Sequence, residues 1–558
     1  MEPSLASDPV MECARSRRRG LTTFLLALAP SLAALGAVPW FVTQDGPAHL
    51  YNAQIIAQSF RPDSPFAAYY FVSWEPLPNW AGHLTLLGLI SVIPSRWADR
   101  AMTAIVLVGF AGSLVWLRWR TRGWRGMPTA ALLAVLLALN MTWLLGFTNF
   151  LLGACLFPVT LGVWWRGRER LSAGRVAALM ALLTLGYFCH LVSLGLTAVG
   201  LAVLAVLTPA PAGTWRARLV RTAASAIPLI PLGLCYLSLS RRGGRLSPQW
   251  DHLTDPFSLR AWVGQMAWAE PVSIASRIVL PFVPTSARGL GLLTPVLWLV
   301  LALALALVAM LRSDRQDRAR SGGVGRGWAA LAALLVLGGL MSPDTLGPAH
   351  GQYLPQRIVL LGLAAIMPLF DLDAKGWAGR GCAAALTVAL AIQSTFVWEY
   401  ALTCQDQVGA LVRARPKVGR SQRVATVLSD IRTRFRANPL LHADCLFGVD
   451  TGNILWSNYE TRFYYFPVQF RPEIDRPDAS DLEFISLELD PDRRAESWAR
   501  VLERHHQAID VLVVWGTDPP LDAVSERWFR VVDREGPVRI FRPRGPVDRS
   551  HSVCKFPP

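Results

Sequence analysis

Up to residue 401 the chain alternates long apolar runs with short polar breaks, and after it that pattern stops. Apolar runs occupy 21–42, 79–94, 99–117, 222–240, 290–311, 327–341, 354–370 and 381–401. The interval 126–165 has room for two more, turning at Gly146-Phe147-Thr148-Asn149. The interval 176–208 has room for another two, turning near His190-Leu191-Val192-Ser193. A helix needs roughly 20 apolar residues to cross the hydrocarbon core. The run 79–94 is shorter, is bounded by Pro76, Pro78 and Pro94, and carries His83, so it predicts a helix lying in the membrane interface. The remaining runs predict about eleven spans.

Arginine clusters at 118–125, 166–175, 216–221, 312–326 and 375–380 separate these runs. Placed on the cytoplasmic side, they set the orientation. Arg15, Arg17, Arg18 and Arg19 precede the first run, which is too long for a signal peptide and lacks a small-x-small cleavage site. The expected organisation is therefore a cytoplasmic tail over 1–20 and a transmembrane domain over 21–401 with outer loops at 43–96 and 241–289. An extracytoplasmic domain over 402–558 follows. The last of these reads as a small α/β fold: a buried strand over 508–515, a hairpin of 528–532 with 538–541, and helical periodicity within 480–507.

Composition agrees with a polytopic α-helical membrane protein. Of 558 residues 52% are hydrophobic and 17% charged, with a mean hydropathy of +0.33, against about 25% charged in soluble chains. The net charge of +16 sits in the inter-run clusters, which argues for the positive-inside pattern and against a nucleic-acid partner. The eight cysteines show no CxxC pair and no Cys/His zinc spacing. Three of them, Cys404, Cys445 and Cys554, lie in the C-terminal region, where one disulfide is open. Gly322-Gly323-Val324-Gly325-Arg326-Gly327 has neither a preceding strand nor a following Lys-Ser/Thr, so it is no phosphate loop.

Polar residues beside apolar runs are costly and mark function. On this topology they gather at the outer face: Asp45 and His49 after the first run, then Glu75, Asn79 and His83, then Asn149, His190, His350, Gln352, Tyr353 and Arg357. Asp45 suits a general base for an acceptor hydroxyl or amine. It also suits a helix cap, since Pro47 follows at a first-turn position. His49 lies one turn beyond and reads as a hydrogen-bonding group; the spacing with Asp45 offers no third metal ligand, and no metal or other cofactor is expected. Arg357 fits either a phosphate contact or a headgroup anchor.

The order of these features resembles the GT-C superfamily of membrane glycosyltransferases, such as the protein O-mannosyltransferase and lipid A aminoarabinose transferase families. The residues that carry the likeness are Asp45, Pro76-Leu77-Pro78-Asn79-Trp80, the helix to Ile93, and Trp97-Ala98-Asp99-Arg100-Ala101. What the resemblance implies is transfer of a sugar from a polyprenyl-phosphate-linked donor to a lipid, glycan or protein acceptor outside a bacterial inner membrane. It implies Asp45 as base, Arg357 as donor-phosphate contact and Glu75 as an aid to acceptor or sugar binding. On the same reading Arg241, Arg242 and Arg245 are further phosphate contacts. The family's first-loop acid often has a second acid beside it; here Gly46 follows. Two rival classes remain: a surface-polysaccharide polymerase or ligase, and a non-enzymatic transporter or envelope-assembly protein.

Overall fold

Among the described residues, four helices are long and apolar enough to cross a membrane, not eleven. They are Cys13–Ala37 within α1 (Pro9–Ala37), α4 (Ser95–Arg122), Thr148–Gly167 and Trp377–Val418. A fifth exists if Trp215–Ala224 and Leu229–Ser240, bent by 43° at their junction, count as one span. The structure, a computed structural model, describes residues 9–61, 63–209, 213–242, 277, 293–312, 315–345, 352–372, 376–431 and 433–545. Most of the outer loop expected at 241–289 lies outside them.

The excess arises because hydropathy cannot distinguish a lipid-facing helix from a buried one. Several apolar runs form helices of 10–17 residues, among them Ala173–Cys189, Leu191–Leu207 and Leu354–Leu369. At 1.5 Å per residue, 17 residues reach only about 26 Å, short of a core of about 30 Å. The interval 126–165 holds α5 (Met127–Ala138), one turn at Met141–Leu144 and a single long helix, Thr148–Gly167. In α5 nearly every residue is buried, so its apolar character serves protein packing.

The chain divides into two units. One comprises Met1–Ala33, Ala104–Trp143 and Phe147–Trp398. It is helical, and its helix Thr148–Gly167 packs on Ala173–Cys189 and Leu191–Leu207.

The other unit comprises Ala34–Thr103, Leu144–Gly146 and Glu399–Pro558. Its main sheet has five strands in the order β3-β2-β5-β7-β6, with β2 (Arg423–Leu428), β3 (Ile454–Leu455), β5 (Val511–Trp515), β6 (Phe529–Glu535) and β7 (Val538–Pro543). The pairs β2–β3 and β2–β5 are parallel, while β5–β7 and β6–β7 are antiparallel. Every residue of β2 and β5 is buried, as expected for strands covered on both faces. The helices Ala479–Leu487 and Pro491–His505 begin at Asp478 and Asp490, whose carboxylates accept from backbone amides of the first turn.

The first polar segment belongs to this same unit. There β1 (Tyr70–Val72) pairs antiparallel with β4 (Val468–Phe470). The helix α2 (Gly46–Gln58) is buried along almost its whole length. Its polar side chains are spent on the segment 450–460. The Tyr51 hydroxyl donates to the Asn453 carbonyl at 2.7 Å. Asn52 and Asn458, both fully buried, exchange amide hydrogen bonds at 3.0 and 2.8 Å. Burying such amides is tolerable only because each satisfies the other. Cys404 and Cys445 are free and buried, so no disulfide joins them, and Cys554 lies outside the described residues.

Candidate functional site

Asp45 stands at the N-cap of α2, but its side chain makes no capping hydrogen bond. The backbone is held from elsewhere. The Gln44 and Asp45 amides donate to the Leu144 and Leu145 carbonyls at 3.0 and 3.1 Å. This approach needs Gly146, whose φ is +78° and where a Cβ would lie 2.6 Å from Thr43 Oγ1 and 3.0 Å from the Asp45 amide. The carboxylate is thus positioned without being consumed as a cap.

The surroundings of that carboxylate are buried and polar. Gln44 Nε2 lies 3.5 Å from Oδ1 and His442 Nε2 lies 3.6 Å from the same oxygen. The Tyr459 hydroxyl also hydrogen-bonds it, and the Tyr459 ring stacks on His442 with centroids 4.2 Å apart. Burial raises the Asp45 carboxyl to about 7; His49 opposes this and Glu460 adds to it. Burial, and then Arg462, lowers His442 to about 3, so it stands beside Asp45 as a neutral imidazole.

A second acid is present, though not next in sequence. A Cβ on Gly46 would meet Asp99 Oδ1 at 2.5 Å and Oδ2 at 3.0 Å, so the Asp99 carboxylate lies against Gly46 in the space a side chain would fill. Asp99 is buried, near the start of α4. Gly46→Ala is expected to push Asp99 or Thr43 aside and to cost about 1–3 kcal/mol of stability, read as a lowered midpoint in thermal unfolding.

One turn along α2, His49 faces two acceptors. Its Nδ1 is hydrogen-bonded to Glu460 Oε1, and its Nε2 lies 3.1 Å from the Gly146 carbonyl oxygen. His83, on α3 (Trp80–Val92), lies 2.8 Å through Nε2 from Glu460 Oε2 and 3.1 Å through Nδ1 from the Asn79 carbonyl. His83 and Glu460 are fully buried, and His49 is 5% exposed. Burial alone would lower His49, but the Glu460 charge and hydrogen bond lift it to about 9. Burial would raise Glu460, yet the two imidazoles hold it down at about 2. Asn79 takes part through its carbonyl. It sits at the α3 N-cap with φ +66°, a left-handed conformation that asparagine tolerates better than most residues.

Glu75 is not in this cluster. Its carboxylate is exposed and accepts from the Ser73 hydroxyl at 3.3 Å. The glutamate that joins the histidines is Glu460, in the turn Tyr459–Arg462. Glu460, His442 and Tyr459 are absent from the sequence-derived residues, and Asp99 appears among them only as part of the Trp97–Ala101 motif, with no role given to it. Asp99 had a sequence signal, an acid at the mouth of an apolar run. Glu460 is marked only by the aromatic residues that follow it, Phe463 to Phe466.

In the helical unit Arg357 is buried in the helix Leu354–Ala364. Its guanidinium lies over the rings of Phe147 and Phe150, at 4.4 and 5.1 Å, and Nη1 lies 2.9 Å from His190 Nε2. Tyr353 stands 5.9 Å from the Phe147 ring, Asn149 is buried in the first turn of Thr148–Gly167, and Gln352 is exposed. Arg357 and His190 are therefore partners. Arg241 and Arg242 end the helix Leu229–Arg242, and their side chains, with Arg245 and His350, lie outside the described residues.

No family model matches this chain, and no curated protein does. Four chains of solved structures are similar to this one, two of which follow. ArnT from Cupriavidus metallidurans in the apo state aligns with 93% of this chain and 97% of its own, at 14% identity and a TM-score of 0.41. The Archaeoglobus fulgidus oligosaccharyltransferase in the apo form aligns with 89% of this chain and 69% of its own, at 13% identity and a TM-score of 0.43. Likenesses of this size do not establish a shared fold or activity. What stands is a polytopic α-helical membrane protein with a C-terminal α/β domain and a buried, uncapped carboxylate at the head of α2.

Proposed function

We propose that this protein is a membrane glycosyltransferase that moves a sugar from a polyprenyl-phosphate-linked donor to an acceptor outside the membrane, with Asp45 as the general base. The observation that carries this reading is the Asp45 carboxylate. It is buried, held by its backbone, free of a capping role, and poised near 7, where a base changes state at working pH. The sequence resemblance of the first loop supports the substrate class.

The step balances without a further reactant. Asp45 takes the proton from the acceptor hydroxyl or amine as that atom bonds to the anomeric carbon. The bond from that carbon to the phosphate oxygen breaks, and polyprenyl phosphate leaves. The neutral His442 and the Tyr459 hydroxyl orient the carboxylate. Arg357 contacts the donor phosphate in this reading. Arg357→Gln is then expected to raise the KM for donor about tenfold or more while changing kcat less, because it removes a charge-assisted contact worth about 1.5–3 kcal/mol. An unchanged donor KM rules out this role for Arg357.

The test of the whole reading is transfer of labelled sugar from membrane polyprenyl-phosphate donors by the native chain and by Asp45→Asn in matched amounts. Transfer by the native chain that Asp45→Asn lacks supports it. Full transfer by Asp45→Asn overturns the base assignment. No transfer by the native chain across many donors favours the transporter or assembly class.

A further inference from the structure

The cluster of His49, His83 and Glu460 brings together three elements remote in sequence: α2, α3 and the turn Tyr459–Arg462. We propose that these three side chains hold one divalent transition-metal ion, with His49 Nδ1, His83 Nε2 and a Glu460 carboxylate oxygen as ligands. The inference does not depend on the glycosyltransferase reading.

The direction of the hydrogen bonds carries it. The Gly146 and Asn79 carbonyl oxygens only accept, so His49 Nε2 and His83 Nδ1 must each carry the ring proton. Each ring then turns its other nitrogen, His49 Nδ1 and His83 Nε2, to Glu460, and that nitrogen offers a lone pair to a metal ion once any proton on it is displaced. The carboxylate also presents lone pairs. Three electron-rich groups facing one another need a cation between them. Two protons, one toward each ring nitrogen, can fill that place, at the cost of burying imidazolium beside the carboxylate out of water. One divalent ion brings the same charge and makes three coordinate bonds.

The donor set and its surroundings fit such an ion. The ligand atoms all lie within 4.8 Å of one another, and a tetrahedral zinc ion with bonds of about 2.0–2.1 Å keeps its ligands about 3.3 Å apart. Two imidazoles and a carboxylate suit zinc better than calcium or magnesium, which prefer oxygen. Each ring is held through its other nitrogen by a backbone carbonyl, the usual support for a metal-binding histidine. The Phe466 ring, 5.9 Å from His83 and 6.4 Å from His49 between centroids, provides an apolar wall. Neighbouring spacing in sequence gave His49 no partner ligands; the fold supplies both.

The test uses the full-length chain purified in detergent. Elemental analysis is expected to find about one zinc ion per chain, or to find it after incubation with zinc chloride and desalting. X-ray absorption at the zinc edge is expected to show two imidazole ligands and oxygen. Glu460→Gln and His83→Gln are expected to weaken zinc binding about a hundredfold. Because both positions are buried, the native chain is the deciding sample: folded native protein that holds less than about a tenth of an ion after incubation with zinc overturns the proposal. So does a zinc-edge spectrum without imidazole, or folded Glu460→Gln that keeps a full ion. None of these readouts measures sugar transfer, so the two readings fail separately.

Discussion

If Asp45 is the proposed base, Asp45→Asn is expected to abolish sugar transfer, by about a hundredfold to ten-thousandfold in kcat, while making the protein more stable. The amide keeps the size and the contacts with Gln44 and Tyr459 but cannot take a proton. On the proposed base role, the native chain should gain activity as pH rises through about 7, because Asp45 is protonated below that and ionised above it. An unperturbed aspartate would place this limb near 4. The stability effect has the opposite sense. A carboxyl raised in the fold favours the native state at pH below its unfolded value, and this advantage is lost as pH rises through about 7. Above that, burying the charge costs on the order of 4 kcal/mol relative to a neutral side chain. Melting of Asp45→Asn should therefore exceed that of the native chain at pH 8 and converge with it at pH 4. A variant that is less stable at both, or an acid limb near 4, would show that the carboxylate is hydrated in the working protein.

Glu460→Ala is expected to be the most damaging change in the C-terminal segment. The substitution leaves His49 and His83 facing each other without their counter-charge, in a place where neither is more than 5% exposed. Removing one partner of a buried charge pair costs about 3–5 kcal/mol, since the remaining charge stays desolvated. The cost falls on the packing of α2, α3 and the turn Tyr459–Arg462 together. It should appear as a lowered thermal midpoint and as faster hydrogen exchange in α2 and α3. Glu75→Ala is the control, because that carboxylate is exposed and bonded only to Ser73 in the described contacts. Its effect should stay within about 0.5 kcal/mol. Equal effects at the two positions would mean that the buried cluster contributes nothing to the fold.

The contrast between these two glutamates indicates how far sequence reasoning reaches. Glu75 was singled out because it lies beside the apolar run that becomes α3, and proximity in sequence is all that a polar residue displays before folding. Glu460 lies hundreds of residues from His49 and His83, yet it is the one that meets them. In the same way Gly46 looked like a missing second acid, whereas the absent side chain makes space for Asp99. The first polar segment was expected to be an outer loop of the membrane domain; it forms one unit with residues 399–558, joined by β1–β4 pairing and by Asn52 with Asn458.

By itself the sequence determined the class, through composition and the length of apolar runs, and the local elements whose signals are short-range. These include the strand β5, the hairpin β6–β7, helical structure within 480–507, and α3 between its prolines. It also singled out Asp45, His49 and His83 as polar groups needing an explanation. Only the tertiary structure decided which apolar helices are long enough to cross a bilayer, since burial in protein and burial in lipid select the same side chains. It alone decided which acids meet Asp45 and the two histidines, because charge pairing depends on distance in space and the chain closes those distances only when it folds.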